Sequence, residues 1–239
     1  MLNFVGCGNS FSGFNGNNSA YLRFNKTLFL IDCGSANFGR MIRAKLLEGI
    51  DRIDVLVTHL HPDHVGSLGS LILYTVYQMA PMSQVKLTVL VPEELRSDLA
   101  TLLRLQGVTE DKYHLTTIPS AGFETDFGFQ VHPVPVTHAK ELICFGYILK
   151  FQTQSMYYSG DAAMIPREVV HQLAELDYVY QDTCIEDYPG NVHMSLQRIC
   201  EMIPVQYRHK VYCMHLDDNF PVHQAAELGF KVASPVSVL

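Results

Sequence analysis

Thr58-His59-Leu60-His61-Pro62-Asp63-His64-Val65-Gly66 sets three histidines and a carboxylate within six residues, directly after the apolar run Ile53-Asp54-Val55-Leu56-Val57. A buried strand running into a tight loop would project all four polar groups to one place. His59 and His61 alternate as strand-end residues do, so both imidazoles point the same way. Neutral imidazole and carboxylate are ligands that suit zinc and similar divalent ions. A surface loop with incidental histidines would seldom concentrate ligands so densely.

Outward from this stretch the chain alternates strands and helices. A short strand over 2–5 leads into a Gly/Asn/Ser-rich loop over 6–18, and then a hairpin over 19–24 and 27–31 turns at Asn25-Lys26. Apolar spacing predicts helices over 38–47 and 65–79, the second stopped by Pro81, and a third over 92–106 opened by Pro92. Further strands are predicted over 85–91, 113–118, 127–136, 143–151, 156–159, 178–181 and 210–214, with helices over 166–176, 195–203 and 221–228. The rhythm of several strands and then alternating helix and strand occurs twice. We therefore expect an α/β fold of one domain, residues 1–239, built as two β-plus-α halves with sheets face to face and helices outside.

Composition narrows the function classes. With 48% hydrophobic and 17% charged residues the chain has ample core, and its net charge of -7 argues against gripping long nucleic acid by a basic face. No apolar run reaches membrane-spanning length, and the start Met1-Leu2-Asn3-Phe4-Val5 lacks a basic signal region. Six scattered cysteines without a C-x-x-C pair read as reduced, mostly buried thiols, so a cytoplasmic protein is expected.

A two-metal site needs more ligands than the opening stretch supplies, and three further candidates fall just after predicted strands. They are His138 after Val134-Pro135-Val136-Thr137, Asp161 in Ser159-Gly160-Asp161, and His215 after Val211-Tyr212-Cys213-Met214. Two ions about 3.5–4 Å apart can share a carboxylate and activate a water, which is the bridging role expected of Asp161. Asp32, at a strand end before Cys33-Gly34, reads equally as a turn aspartate or as a residue holding the loop in shape. Asp182 also follows a strand but lacks the preceding glycine, and reads as structural or supporting.

Taken together, the T-H-L-H-P-D-H stretch, a downstream histidine, S-G-D and a final histidine resemble the metallo-β-lactamase fold superfamily, over almost the whole chain from Asp32 to His215. Phe4-Val5-Gly6-Cys7-Gly8, Asn18-Ser19-Ala20, and His193-Met194-Ser195 with Met214-His215 resemble its ribonuclease Z branch. The resemblance implies a four-layer αββα sandwich binding two divalent ions, zinc first and manganese as the alternative. It implies His59, His61 and His138 on one ion, Asp63, His64 and His215 on the other, and Asp161 between them. His138 is preferred over His132 on the same pattern. Asp63 would also orient the nucleophile, and His193 would serve at the scissile phosphate, stabilising charge or protonating the leaving oxygen.

Departures from that branch bear on the substrate. Only twenty-two residues separate His138 from Asp161, so the insertion expected for a tRNA-gripping arm is missing. Gln197 and Arg198 stand where a glutamate would usually follow His193. What remains resembles the arm-less cyclic-nucleotide phosphodiesterases, a group that includes the viral anti-Pycsar enzymes. The resemblance thus implies hydrolysis of 3′,5′-cyclic mononucleotides of the cyclic CMP or UMP type by metal-bound hydroxide. It further implies a homodimer acting in the cytoplasm, the host's if a virus encodes the chain. The alternatives are a ribonuclease Z-like tRNA 3′ endonuclease and another hydrolase of the same fold.

Overall fold

The computed structural model describes residues 1–80 and 85–238, and the chain divides into two compact units. One comprises Leu2–Thr117 with the tail from Ser234. Its sheet runs in chain order: β1 (Asn3–Gly6), β2 (Ser19–Phe24), β3 (Thr27–Ile31), β4 (Arg52–Leu56), β5 (Lys86–Pro92) and β6 (His114–Ile118). The first three pair antiparallel, with the expected hairpin closed at Asn25, and β3, β4 and β5 pair parallel. Parallel strands are covered on both faces and read as apolar runs. Leu28, Leu30, Ile31, Ile53, Val55 and Leu56 are accordingly all fully buried. The exception inside β4 is buried Asp54, which the Arg52 guanidinium meets with two bonds, at 2.7 and 3.1 Å.

Helices α1 (Asn37–Arg43), α2 (Pro62–Val65), α3 (Leu68–Tyr74) and α4 (Arg96–Leu105) complete this unit. The single helix expected over 65–79 is broken. Ser67 is drawn into the connection between β3 and α1: its N–H donates to the Cys33 carbonyl at 3.1 Å and its hydroxyl to the Gly34 carbonyl at 2.5 Å. Beyond α3 the chain widens into a π turn, Thr75–Met79, where the Thr75 hydroxyl donates back to the Leu71 carbonyl at 2.9 Å. The expected stop at Pro81 lies outside the described residues.

The second unit comprises Met1 and Ile118–Ala233. Its strands are β7 (Phe123–Glu124), β8 (Phe129–Val136), β9 (Cys144–Phe151), β10 (Gln154–Tyr158), β11 (Tyr178–Asp182), β12 (Val211–Met214) and β13 (Lys231–Val232), again neighbours in chain order. Strands β7 to β10 pair antiparallel and β10 to β13 parallel, so the repeated rhythm in the sequence is a repeated sheet plan. Two-residue strands such as β7 and β13 are too short to show periodicity, and neither was expected. Helices α5 (Arg167–His171), α6 (Leu196–Met202) and α7 (Val222–Glu227) follow the parallel part. The chain has no tryptophan, and fully buried Tyr147, Tyr157, Tyr158 and Tyr180 supply the bulk in this sheet's core.

The connection after β3 is zipped onto the His-rich loop. Cys33 N–H donates to the His64 carbonyl at 2.7 Å and Ser35 N–H to the Pro62 carbonyl at 3.1 Å. Gly34 makes this approach possible, since an added Cβ would overlap the Asp63 carbonyl oxygen. Gly34→Ala is therefore expected to force the two segments apart and to cost about 1–3 kcal/mol. The cost is read as a lowered midpoint in thermal melts; an unchanged midpoint would show the loop to be loosely held.

Candidate metal-binding clusters

The His-rich loop leaves the carboxyl end of β4 and enters α2, so that backbone and side chains at its root are buried. Thr58, His59 and His64 have no exposed surface, Asp63 is 5% exposed, and His61 lies nearer solvent. Asp32, at the end of β3, organises the group. Its buried carboxylate accepts from Thr58 N–H and the Thr58 hydroxyl, each at 2.8 Å, and from His64 Nδ1 at 2.8 Å. Of the two readings open in the sequence, the structure supports the one in which Asp32 holds the loop in shape. Burial raises the Asp32 carboxyl above its ordinary value, against the pull of His64 and Thr58.

These bonds select tautomers. The Thr58 hydroxyl gives its proton to Asp32, so its oxygen accepts from His59 Nδ1 at 3.1 Å, and the His59 Nε2 lone pair is left facing His61 Nδ1 at 3.0 Å. His64 donates through Nδ1 to Asp32, which turns its Nε2 lone pair toward Asp63 Oδ2 at 3.3 Å. A lone pair and a carboxylate oxygen at that separation repel unless a proton or a cation lies between them. Carboxylate-backed imidazoles converging in this way are the usual arrangement around a bound metal.

The second unit carries its own cluster, again at strand ends. His138 follows β8, Asp161 follows β10 and His215 follows β12; each is buried. His138 Nδ1 donates to the Val192 carbonyl at 3.0 Å, leaving Nε2 3.7 Å from Asp161 Oδ2. His215 Nε2 lies 3.3 Å from the same oxygen, while its Nδ1 edge lies 3.4 Å from Asp182 Oδ1. One carboxylate thus gathers two imidazole nitrogens whose other ring edges are already engaged. By the chemistry of their donors, both clusters fit a divalent ion of the zinc or manganese kind. His132, the rival to His138, is exposed on β8, and His114, His171, His209 and His223 are exposed as well.

Asp182 matters more than its sequence context suggested. Fully buried at the end of β11, it accepts from Ala162 N–H at 2.9 Å and meets His193 Nδ1 at 2.7 Å. Its strand-end position, shared with Asp161, was the available signal. Burial alone would push this carboxyl up, but His193 and His215 together hold it below its ordinary value. Burial would likewise lower the His193 pKa, yet the Asp182 carboxylate holds it above the ordinary value. The His193 ring packs between two candidate ligands, with centroids 4.9 Å from both His138 and His215. The loop bearing it is fixed by Cys184 N–H to the Met194 carbonyl and Leu196 N–H to the Cys184 carbonyl. Ser195 caps α6, its hydroxyl accepting from Arg198 N–H at 3.1 Å. Asp182, His193 and His215 also bring ligand atoms within 4.8 Å of one another.

A family model described as anti-Pycsar protein Apyc1 matches residues 1–233. A protein of that name from Bacillus phage BSP38 is 28% identical over 237 residues, spanning 92% of this chain and 90% of its own length. Among solved structures, a diphosphatase from the PhnP family has a TM-score of 0.77 at 20% identity, covering 100% of this chain and 96% of its own. YhfI from Bacillus subtilis, a metallo-β-lactamase fold protein, has a TM-score of 0.74 at 15% identity, covering 100% and 98%. The chain therefore has the metallo-β-lactamase fold.

Replacing Asp32 by alanine leaves the Thr58 donors and His64 Nδ1 without their acceptor, so that the His64 ring can turn. Zinc affinity of Asp32→Ala, read by competition with a chromogenic chelator, is expected to fall about 10–100-fold. An affinity equal to the native protein's would show that His64 needs no orienting carboxylate.

Proposed function

The chain belongs to the anti-Pycsar protein Apyc1 family, and from that membership we propose a metal-dependent phosphodiesterase that opens 3′,5′-cyclic mononucleotides of the cyclic CMP and UMP type. The observation that carries the reading is the convergence of His138 and His215 on the buried Asp161 carboxylate, their Nε2 atoms 3.7 and 3.3 Å from one oxygen. Such a group of acceptors has little structural use, and it suits hydrolysis of an anionic ester. The family's name supports action against a bacterial defence. The resemblance noted from the motifs supports a cyclic pyrimidine nucleotide as its target, with homodimeric assembly and action in the bacterial cytoplasm as parts of the same reading. Among the described residues no helix is long and apolar enough to cross a membrane.

In this reading His59, His61 and His138 hold one divalent ion, Asp63, His64 and His215 hold a second, and Asp161 serves both. Bound there, the ions would supply an activated water and offset charge on the phosphoryl oxygens. The chain's own residues divide the remaining work. Asp63 accepts a hydrogen bond from the attacking water and aims it at phosphorus. Asp32 and Asp182 keep the ligand rings turned inward. His193, with Nδ1 held by Asp182 at 2.7 Å, presents Nε2–H to the leaving ribose oxygen. As the new P–O bond forms and the ester P–O bond breaks, that proton passes to the departing alkoxide. The product is a linear nucleoside monophosphate.

Incubation of the pure protein with cyclic CMP and cyclic UMP is expected to give linear monophosphates by ion-exchange chromatography. Exhaustive chelation should abolish turnover, and zinc or manganese should restore it; absence of product under every metal condition would sink the reading. His193→Ala is expected to lower kcat about 100- to 10,000-fold with the metal content unchanged by mass spectrometry. Full activity in that variant would remove His193 from the chemistry.

A further inference from the structure

The loop between β1 and β2 carries two phenylalanines that the core does not use. Phe11 is 95% exposed and Phe14 83% exposed. Exposed rings of this size on a loose loop would carry little meaning, but the backbone here is closely tied. Gly8 N–H donates to the Gly16 carbonyl at 2.8 Å, Phe11 N–H to Asn9 Oδ1 at 3.0 Å, and Asn15 N–H to the Ser12 hydroxyl at 3.1 Å. The buried Arg40 guanidinium reaches the loop from α1, donating to the Val5 carbonyl at 2.8 Å and to the Phe14 carbonyl at 3.4 Å. The loop therefore holds two apolar rings in water on a hydrogen-bonded frame, so that a ligand binding there would bury apolar area with little ordering cost.

The loop's root leads to the His-rich cluster of the same unit. Asn17 Oδ1 accepts from Ala36 N–H at 2.8 Å and the Asn17 carbonyl accepts from the Asn37 amide at 2.8 Å. The Asn17 Cβ lies 2.8 Å from where a Cβ on Gly34 would stand, and Gly34 in turn abuts the Asp63 carbonyl. Two residue contacts thus separate the loop's root at Asn17 from Asp63. Aromatic faces on a loop whose root abuts the His-rich cluster would match the part of a nucleotide that metal ligands do not recognise, its base. Stacking on phenylalanine accepts any base, because every base offers a π-face.

We propose that Phe11 and Phe14 form the base-stacking element of this protein, binding the nucleobase of the nucleotide by its face and not by its hydrogen-bonding edge. The proposal rests on the nucleotide phosphodiesterase reading and names the residues that bind the base. It follows that the strength of binding is set by ring stacking.

The test uses the full chain, native and as Phe11→Ala/Phe14→Ala and Phe11→Leu/Phe14→Leu. Each is assayed on cyclic CMP and on a cyclic ribose 3′,5′-phosphate that carries a methoxy group in place of the base. The alanine pair is expected to raise KM for cyclic CMP about 5- to 150-fold while keeping kcat, and to leave kcat/KM for the base-free substrate unchanged. The leucine pair, apolar but without a π-face, should resemble the alanine pair. An unchanged KM, an equal loss on the base-free substrate, or full rescue by leucine would overturn the proposal. So would a fall in sedimentation coefficient in the variants, which would assign the rings to a second copy of the chain. Should the native protein turn over no cyclic nucleotide, the phosphodiesterase reading fails, and calorimetric binding of CMP decides the stacking separately. Weaker binding by both variants would support it; equal affinity, or no binding by the native protein, would overturn it.

Discussion

A buried carboxylate set against the Nδ1 edge of an imidazole is the constraint on which both ligand clusters depend. Asp32 does this for His64, and Asp182 does it for His193 and approaches His215. An imidazole can present either nitrogen, and an unsupported ring would turn and exchange tautomers; the carboxylate fixes both choices at once. The two aspartates differ in a way their partners explain. Asp32 faces a single ring, and burial raises its pKa. Asp182 faces two rings, and their combined pull lowers it despite equal burial. Where a donor set needs its nitrogens held still, the orienting carboxylates do as much to define it as the ligands do.

Strand ends are where this constraint meets the backbone. Asp32 after β3, Gly160 after β10 and His215 after β12 all have positive φ, at 64°, 58° and 60°. In that conformation the chain turns sharply as it leaves the sheet, so the next side chains gather at the carboxyl edge. Glycine adopts it without steric cost, which accounts for Gly160 before Asp161. For Asp32 and His215 it costs energy, and such strain is typically held in place by surrounding contacts. Here the contacts are those that orient the rings: Thr58 and His64 on Asp32, and Asp161 and Asp182 on His215.

Legibility in the sequence followed the range of the forces involved. The parallel strands were visible because burial on both faces leaves apolar runs, and His59 to His64 because ligands adjacent in space were adjacent in sequence. His138, Asp161 and His215 were recoverable because each follows such a run. Asp182 shares that position, yet its partners come from separate loops and its importance appeared only with the fold. The break at Ser67 was hidden for a related reason: the 65–79 segment has clean helical spacing, and what interrupts it is a set of bonds to Cys33 and Gly34. Phe11 and Phe14 gave no signal in an otherwise Gly/Asn/Ser-rich loop, since exposure is not encoded by residue type.

The span between His138 and Asp161 bears most directly on substrate size. Thirteen of its twenty-two residues lie in β9 and β10. Pairing runs unbroken from Val136 opposite Cys144 to Phe129 opposite Phe151, and then from Phe151 opposite Gln154 to Tyr147 opposite Tyr158. With β9 and β10 joined by a turn at Gln152, only short connections remain, too little chain for a projecting arm. A polynucleotide is held chiefly through many phosphates along its length, by positive charge spread over an extended surface. A net charge of -7 argues against such a surface. A mononucleotide needs only one phosphodiester at the ligands and one flat surface for its base, and neither calls for an arm.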